Sequence, residues 1–97
     1  MHRVIFHPEA DAELVASAKY YESQTQGLGR NFLDDSKRGI TGIQQFPNAW
    51  PMREADIRCR LLKRFPYGLL YRVESDHIRI LAVMHLHREP DYWKHRA

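Results

Sequence analysis

The sequence has only one cysteine, Cys59, among its 97 residues. A single cysteine excludes an internal disulfide, which fits a chain in a reducing cytosol. Because Cys59 alternates with Ile57 and Leu61, we expect it to occupy a buried strand position. The alternative is a reactive thiol, since the neighbouring Arg58 and Arg60 favour the thiolate.

Long apolar runs are also missing, and none approaches the ~20 residues that a membrane-spanning helix needs. The first residues reach Pro8 without the apolar core of a secretory signal, so we expect a cytoplasmic protein. The sequence has no P-loop, no glycine-rich dinucleotide turn and no serine-nucleophile motif. We therefore expect no cofactor, and an enzyme acting on a small molecule is the least favoured class of function.

The residues that are present have the composition of a folded domain. Hydrophobic residues make up 43% and charged residues 28%, which is typical of a globular chain rather than a disordered one. The length suits a single domain over residues 1–97. The net charge of +3 favours a negatively charged partner, such as nucleic acid, a ribonucleoprotein or an acidic protein segment.

The first half of the chain shows helical spacing after a short strand at residues 3–7. Pro8 suits the first turn of a helix, where its missing N–H costs nothing, and this helix should end near Gln24–Gly27. A second helix is predicted from Leu28 to Phe46, so that the two form a helical hairpin. The stripes expected to face the core are Ala10, Leu14, Ala18 and Tyr21 in the first helix, and Leu28, Phe32, Ile40 and Ile43 in the second.

The second helix also has polar positions and glycines. Gly39 and Gly42 lower its intrinsic stability, and close packing on the first helix would explain them. The side chains expected to be solvated are Asp34, Asp35, Lys37 and Arg38.

After a loop at residues 47–51 the spacing of apolar residues changes to two, which predicts strands at 57–64, 67–74 and 77–87. Their short links suit hairpins, so the three form a meander. Residues 3–7 are expected to pair with the last strand. The predicted fold is therefore α+β, in the order β-α-α-β-β-β, with the helical hairpin packed on an antiparallel sheet. In the last strand, alternation places Ile78, Ile80, Ala82, Met84 and Leu86 on one face and Arg79, Leu81, Val83, His85 and His87 on the other.

Basic residues concentrate in the predicted sheet, whereas acidic residues concentrate in the helices. This segregation favours a surface that binds phosphate or acidic groups, although the same bases would also solvate an exposed sheet face. The residues proposed for target or nucleic-acid binding are Arg58, Arg60, Lys63, Arg64, Arg72 and Trp93.

His85 and His87 should point to one face of the last strand. A metal site would need further ligands, and His77, His95 and Cys59 do not supply the spacing of a zinc module, so no metal is expected. General acid–base chemistry is the stronger functional interpretation, because histidine titrates near neutrality. A structural or surface role is the alternative.

Tyr92 and Trp93 follow Pro90 near the end of the sequence. We interpret them first as a hydrophobic plug that anchors this segment. The alternative is stacking on a nucleic-acid base.

Two segments together resemble the RelE/ParE toxin superfamily. Leu62–Val73 (LKRFPYGLLYRV) is similar to its basic strand, Phe-Pro-Tyr turn and Tyr-x-Val strand. Ile80–Trp93 (ILAVMHLHREPDYW) is similar to its closing strand and Pro-x-Tyr-Trp-like ending. The resemblance implies a helical hairpin on a sheet, and a cognate antitoxin that neutralises the toxin.

Two activities occur in that superfamily: ribosome-dependent mRNA cleavage by RelE-like members and inhibition of DNA gyrase by ParE-like members. As a ribonuclease, the chain would draw its catalytic residues from His85, His87, Arg88 and Tyr92. However, RelE-like nucleases commonly carry an arginine where this chain has Gly68. That departure and the Pro-x-Tyr-Trp ending favour a ParE-like gyrase inhibitor of the kind found in plasmid stabilisation.

Overall fold

A computed structural model describes residues 2–97, and Met1 lies outside the described part. The elements follow in the order β1 (Val4–Phe6), α1 (Pro8–Gln24), α2 (Leu28–Gln45), β2 (Met52–Glu54), β3 (Ile57–Leu61), β4 (Tyr67–Val73) and β5 (Ile78–His85), with a short 3₁₀ helix at Lys94–Arg96. The five strands form one sheet in the order β1-β5-β4-β3-β2. The predicted α+β fold with a helical hairpin against a sheet is confirmed.

The first strand pairs with β5 as predicted, with Val4 opposite Ile78 and Phe6 opposite Ile80. This pair is parallel, so the sheet is mixed, and the expectation of a wholly antiparallel sheet is wrong in this respect. Alternation of apolar residues predicts that a strand is present, but it does not predict the direction of that strand in the sheet. No short turn joins β1 to β5 and fixes their relative direction, because most of the chain lies between them. β2 was not predicted because all three of its residues are exposed and give no alternating signal.

The two helices begin and end close to the predicted residues. His7 caps α1, since its Nδ1 accepts a hydrogen bond from the backbone N–H of Glu9 at 3.1 Å, and Pro8 follows in the first turn. Gly27 has φ of +88°, a left-handed conformation that glycine adopts without strain, and it reverses the chain between the helices.

The glycines of α2 do not have the predicted role. A Cβ at Gly29 would lie 2.6 Å from the carbonyl oxygen of Ala18, so Gly29 is the residue that lets α2 approach α1. Gly39 faces the sheet instead, where a Cβ would lie 2.9 Å from a methyl group of Leu69. Gly42 lies over Arg60. The expectation that Gly39 and Gly42 pack on the first helix is therefore wrong.

One hydrophobic cluster lies between the helices and the sheet. At its centre the rings of Phe32 and Tyr67 are 4.9 Å apart, and Tyr21 packs 4.8 Å from Phe65. Asp35, expected to be solvated, is buried here, and its carboxylate accepts a hydrogen bond from the backbone N–H of Arg64 at 2.9 Å. A buried carboxylate needs such a partner, and a backbone donor 29 residues away is not visible in the pattern of α2.

A second cluster lies on the opposite face of the sheet, which the helices do not cover. The C-terminal segment, residues 90–97, packs there and buries Trp93, which is 1% exposed. Trp93 belongs to a buried hydrophobic cluster whose other members are Ile57, Cys59, Leu70, Leu81, Ala82 and Met84. The hydrophobic-plug interpretation of Trp93 and the buried strand position of Cys59 are both confirmed.

A β-bulge at Leu81 interrupts β5. Leu70 pairs with Ala82 whereas Tyr71 pairs with Ile80, so Leu81 is an extra residue on β5. The bulge places Val83 on the helix face and moves Ala82 and Met84 to the opposite face, where they join Leu81. The predicted strict alternation is therefore wrong from Ala82 onward. Within residues 2–97, neither helix is long and apolar enough to cross a membrane.

Candidate functional site

Two turns meet at one end of the sheet and bring several basic side chains together. The turn between β3 and β4 contacts the turn after β5, where the backbone N–H of Leu86 donates to the carbonyl oxygen of Pro66 at 2.9 Å. We call this region the basic end and define it as Lys63, Arg64, His85, His87 and Arg88. Lys63, Arg64 and His87 are exposed, so the basic end is accessible to a partner.

The two histidines lie side by side at the basic end. The ring of His85 packs edge-on against Tyr67 with centroids 5.1 Å apart, and the His87 ring lies 5.2 Å from His85. The Nδ1 atom of His85 accepts the backbone N–H of His87 at 3.0 Å. In this arrangement the Nδ1 of His85 is occupied by a backbone donor.

Arg88 lies against two partners. Its Nη1 is 3.8 Å from a carboxylate oxygen of Glu13, and its guanidinium carbon is 4.0 Å from the centre of the Tyr92 ring. The hydroxyl of Tyr92 is buried. Burial, followed by the nearby Glu13 carboxylate, raises the pKa of Tyr92. This hydroxyl is therefore not presented to an external substrate.

The other proposed binding residues are held within the fold rather than at the basic end. Arg58 donates to the carbonyl oxygen of Trp50 at 2.7 Å, and Arg60 is buried with its guanidinium 4.7 Å from the centre of the Trp50 ring. Arg72 forms an ion pair with Glu74. These three arginines stabilise the loop after α2 and the β4–β5 connection, which alternation alone could not predict.

Trp93 is also unsuited to contact a partner directly. It is buried against the sheet, and its Nε1 donates to the carbonyl oxygen of Pro90 at 2.8 Å. Base stacking needs an exposed ring face. Of the ten proposed site residues, those that lie at the basic end are Lys63, Arg64, His85, His87 and Arg88, with Tyr92 beneath Arg88.

Gly68 lies on the sheet face that carries Cys59, away from the helices. A Cβ at Gly68 would be 2.8 Å from the Sγ of Cys59 and 3.5 Å from a methyl group of Leu61. The packing therefore leaves no room for an arginine at this position without movement of its neighbours. Burial raises the pKa of the Cys59 thiol despite the nearby Arg53, so the reactive-thiol alternative loses its support.

Glu13 is the residue of this region that the sequence reasoning missed. Its carboxylate accepts hydrogen bonds from the backbone N–H of Val83 at 3.0 Å and from Arg96 at 2.9 Å. One signal was available in the sequence. Glu9 and Glu13 are four residues apart on one helix face, where like charges repel each other unless cations lie nearby. The nearby cations are Arg88 and Arg96, and the His95 ring also lies 2.8 Å from a carboxylate oxygen of Glu9.

No group of three or more histidine, cysteine, aspartate or glutamate side chains within residues 2–97 is arranged to hold a metal ion. The basic end offers cations, hydrogen-bond donors and aromatic edges. Its chemistry suits the binding of acidic or phosphorylated groups more than the activation of a nucleophile.

Comparisons with known proteins agree with this fold. A family model described as the ParE toxin of the type II toxin–antitoxin system parDE matches residues 4–90. A solved structure described as a chromosomal ParDE toxin–antitoxin system from P. aeruginosa superposes with a TM-score of 0.75 at 23% identity, covering 89% of this chain and 97% of that one. A search among curated proteins gives no match.

Proposed function

This chain belongs to the ParE toxin family of type II toxin–antitoxin systems, and we propose that it arrests growth by binding and inhibiting DNA gyrase. Its role as a toxin follows from the family. The target is the proposed part, together with neutralisation by a cognate antitoxin.

The observation that carries the proposal is that, in the part of the chain that the structure describes, the basic end presents exposed, unpaired cations. Lys63 and Arg64 are exposed and, within residues 2–97, neither side chain takes part in an ion pair. Exposed cations at one end of a rigid sheet give a surface that attracts acidic or phosphorylated groups on a larger partner. Inhibition by binding needs no more than such a surface.

Ribonuclease activity, the alternative function, receives less support from the same residues. Cleavage of RNA needs a general base, a general acid and donors that stabilise the charge on phosphorus. Here the Nδ1 of His85 is occupied, the Tyr92 hydroxyl is buried, and Gly68 supplies no donor. Arg88 and His87 remain exposed, but two residues make an incomplete catalytic set.

The antitoxin is expected to be an acidic protein with a segment that folds on this toxin. The support is the basic net charge of the toxin together with its family. Co-expression with the product of the adjacent reading frame is expected to restore growth that the toxin alone arrests.

Two assays on the purified toxin test the target: supercoiling of plasmid DNA by gyrase and cleavage of mRNA in a translating extract. We expect inhibition of supercoiling and intact mRNA. The double variant Lys63→Ala/Arg64→Ala should inhibit about tenfold less, the effect of losing ~1.4 kcal/mol of binding. Its matched control is Lys19→Ala/Arg30→Ala, which removes the same charge from exposed positions on the helices.

Cleavage of mRNA that Arg88→Ala abolishes, with supercoiling unaffected, would overturn the proposal in favour of the ribonuclease. Equal loss of inhibition in the two double variants would instead show that net charge, rather than the basic end, is responsible.

A further inference from the structure

Glu13 occupies a place in the sheet where a strand is missing. β1 ends at Phe6, so the edge of β5 beyond Ile80 has no strand beside it. There the carboxylate of Glu13 accepts the backbone N–H of Val83 at 3.0 Å, and Arg96 donates to the carbonyl oxygen of Leu81 at 3.1 Å. Two side chains thus satisfy the backbone groups that a neighbouring strand would otherwise satisfy.

Glu13 and Arg96 also fix each other. The guanidinium of Arg96 reaches both carboxylate oxygens, at 2.9 Å and 3.0 Å, and its side chain is 5% exposed. A two-point contact of this kind has a defined geometry. Together with the Val83 bond, it leaves the Glu13 carboxylate little freedom.

Arg88 is the exposed member of this group. Its side chain is 55% exposed and lies 3.8 Å from the fixed carboxylate on one side and 4.0 Å from the Tyr92 ring on another. A long side chain loses conformational entropy when it binds a partner. Contacts that restrict it beforehand reduce that loss.

We propose that Glu13 is a positioning residue of the basic end, which holds the guanidinium of Arg88 over the Tyr92 ring for contact with the toxin's target. The carboxylate does not itself touch the target and acts through Arg88. The inhibition assays below rest on the proposed function, whereas the measurement of side-chain order does not.

The first test measures the order of arginine side chains by NMR relaxation of their Nε–H groups. In the unmodified protein, Arg88 should be more ordered than Arg64, an exposed arginine whose side chain takes part in no ion pair within residues 2–97. The variant Glu13→Gln keeps an oxygen for Val83 and loses the charge, and Arg88 should then become as mobile as Arg64. Glu9→Gln is the matched control, because Glu9 contacts His95 and Arg96 but not Arg88.

The second test is a double-mutant cycle on inhibition of supercoiling. Arg88→Ala and Glu13→Gln should each raise the half-inhibitory concentration about tenfold, and the double variant should also raise it about tenfold rather than a hundredfold. If Glu13 acts only through Arg88, its substitution should have no further effect once Arg88 has been removed. Glu9→Gln should leave inhibition unchanged.

Several outcomes would overturn the proposal: Arg88 as mobile as Arg64 in the unmodified protein, Arg88 order unchanged by Glu13→Gln, or additive effects in the cycle. The comparison within the unmodified protein can overturn the proposal even if Glu13→Gln does not fold. If the unmodified toxin does not inhibit gyrase, the proposed target fails, while the order measurement still tests Glu13.

Discussion

Gly68 shows how tightly single residues are packed on the sheet face opposite the helices. A methyl group there would lie 2.8 Å from the Sγ of Cys59, closer than atoms approach without displacement. We predict that Gly68→Ala destabilises the protein by about 1–3 kcal/mol, the usual cost of overpacking a core. Urea denaturation measures this cost.

The compensating change is Cys59→Ala, which removes the sulfur that the new methyl group meets. The double variant Gly68→Ala/Cys59→Ala should be more stable than Gly68→Ala alone, because the two residues are in direct contact and their effects couple. Additive losses would mean that the strain at residue 68 has another source.

Tyr71 gives the protein a dependence on alkaline pH. Burial raises the pKa of Tyr71 to about 12, so the folded state holds this proton more tightly than the unfolded state. The contribution is fully present below pH ~10, the unfolded value, and is lost as the pH rises towards 12. At pH 11 the loss from this one group should be about 1 kcal/mol.

The variant Tyr71→Phe separates this effect from that of its hydrogen bond. The Tyr71 hydroxyl donates to the carbonyl oxygen of Pro47 at 2.6 Å, so the variant should lose about 1 kcal/mol at pH 7. At pH 11 the variant has no hydroxyl to ionise, and its deficit relative to the unmodified protein should shrink or reverse. A constant deficit from pH 7 to pH 11 would contradict the assignment.

Among the structural elements, the C-terminal segment closes the face of the sheet that the helices leave open. Trp93 is its anchor, and burial of so large a ring contributes strongly to stability. We predict that Trp93→Ala costs about 3–5 kcal/mol, measured by urea denaturation. Lys94→Ala, at an exposed position in the same 3₁₀ helix, should leave the free energy of unfolding nearly unchanged.

The helices were predictable because each has one buried side, and burial on one side gives the apolar residues a regular spacing in the sequence. In β3 the apolar Ile57 and Cys59 alternate with arginines, whereas β4 is buried on both faces over Tyr67–Tyr71. β2 has no buried residue and was invisible for that reason. Beside the bulge at Leu81, the side chains of Glu13 and Arg96 satisfy backbone groups of β5 that have no neighbouring strand. Alternation along one strand carries no information about such distant partners.

The candidate site was only partly predictable for a related reason. Charge segregation identified the basic half of the chain, but it does not distinguish a free cation from one held within the fold. Arg60 is buried beside Trp50, whereas Arg64 is exposed only a few residues later. Whether an arginine is held by contacts within the fold depends on loops and helix faces that are distant from it in sequence.

On the scale of the whole molecule, the two helices carry six acidic and four basic residues, whereas the exposed cations of the basic end lie at one end of the sheet. The net charge of +3 is therefore distributed unevenly over the surface of the protein. Such an asymmetry accelerates encounter with a negatively charged partner and is screened by salt, with a Debye length of ~10 Å at 0.1 M ionic strength.

We predict that the association rate of the toxin with gyrase falls as salt is raised from about 50 to about 300 mM, while the dissociation rate changes less. Lys63→Ala/Arg64→Ala should associate more slowly at low salt and show a weaker salt dependence, because two of the steering charges are gone. Lys19→Ala/Arg30→Ala should retain the salt dependence of the unmodified toxin, since these exposed residues lie on the helices and not on the two turns that form the basic end. Surface plasmon resonance gives both rates. An identical salt dependence in the two double variants would mean that the field of the whole molecule steers association. Any contribution of the basic end would then appear in the dissociation rate.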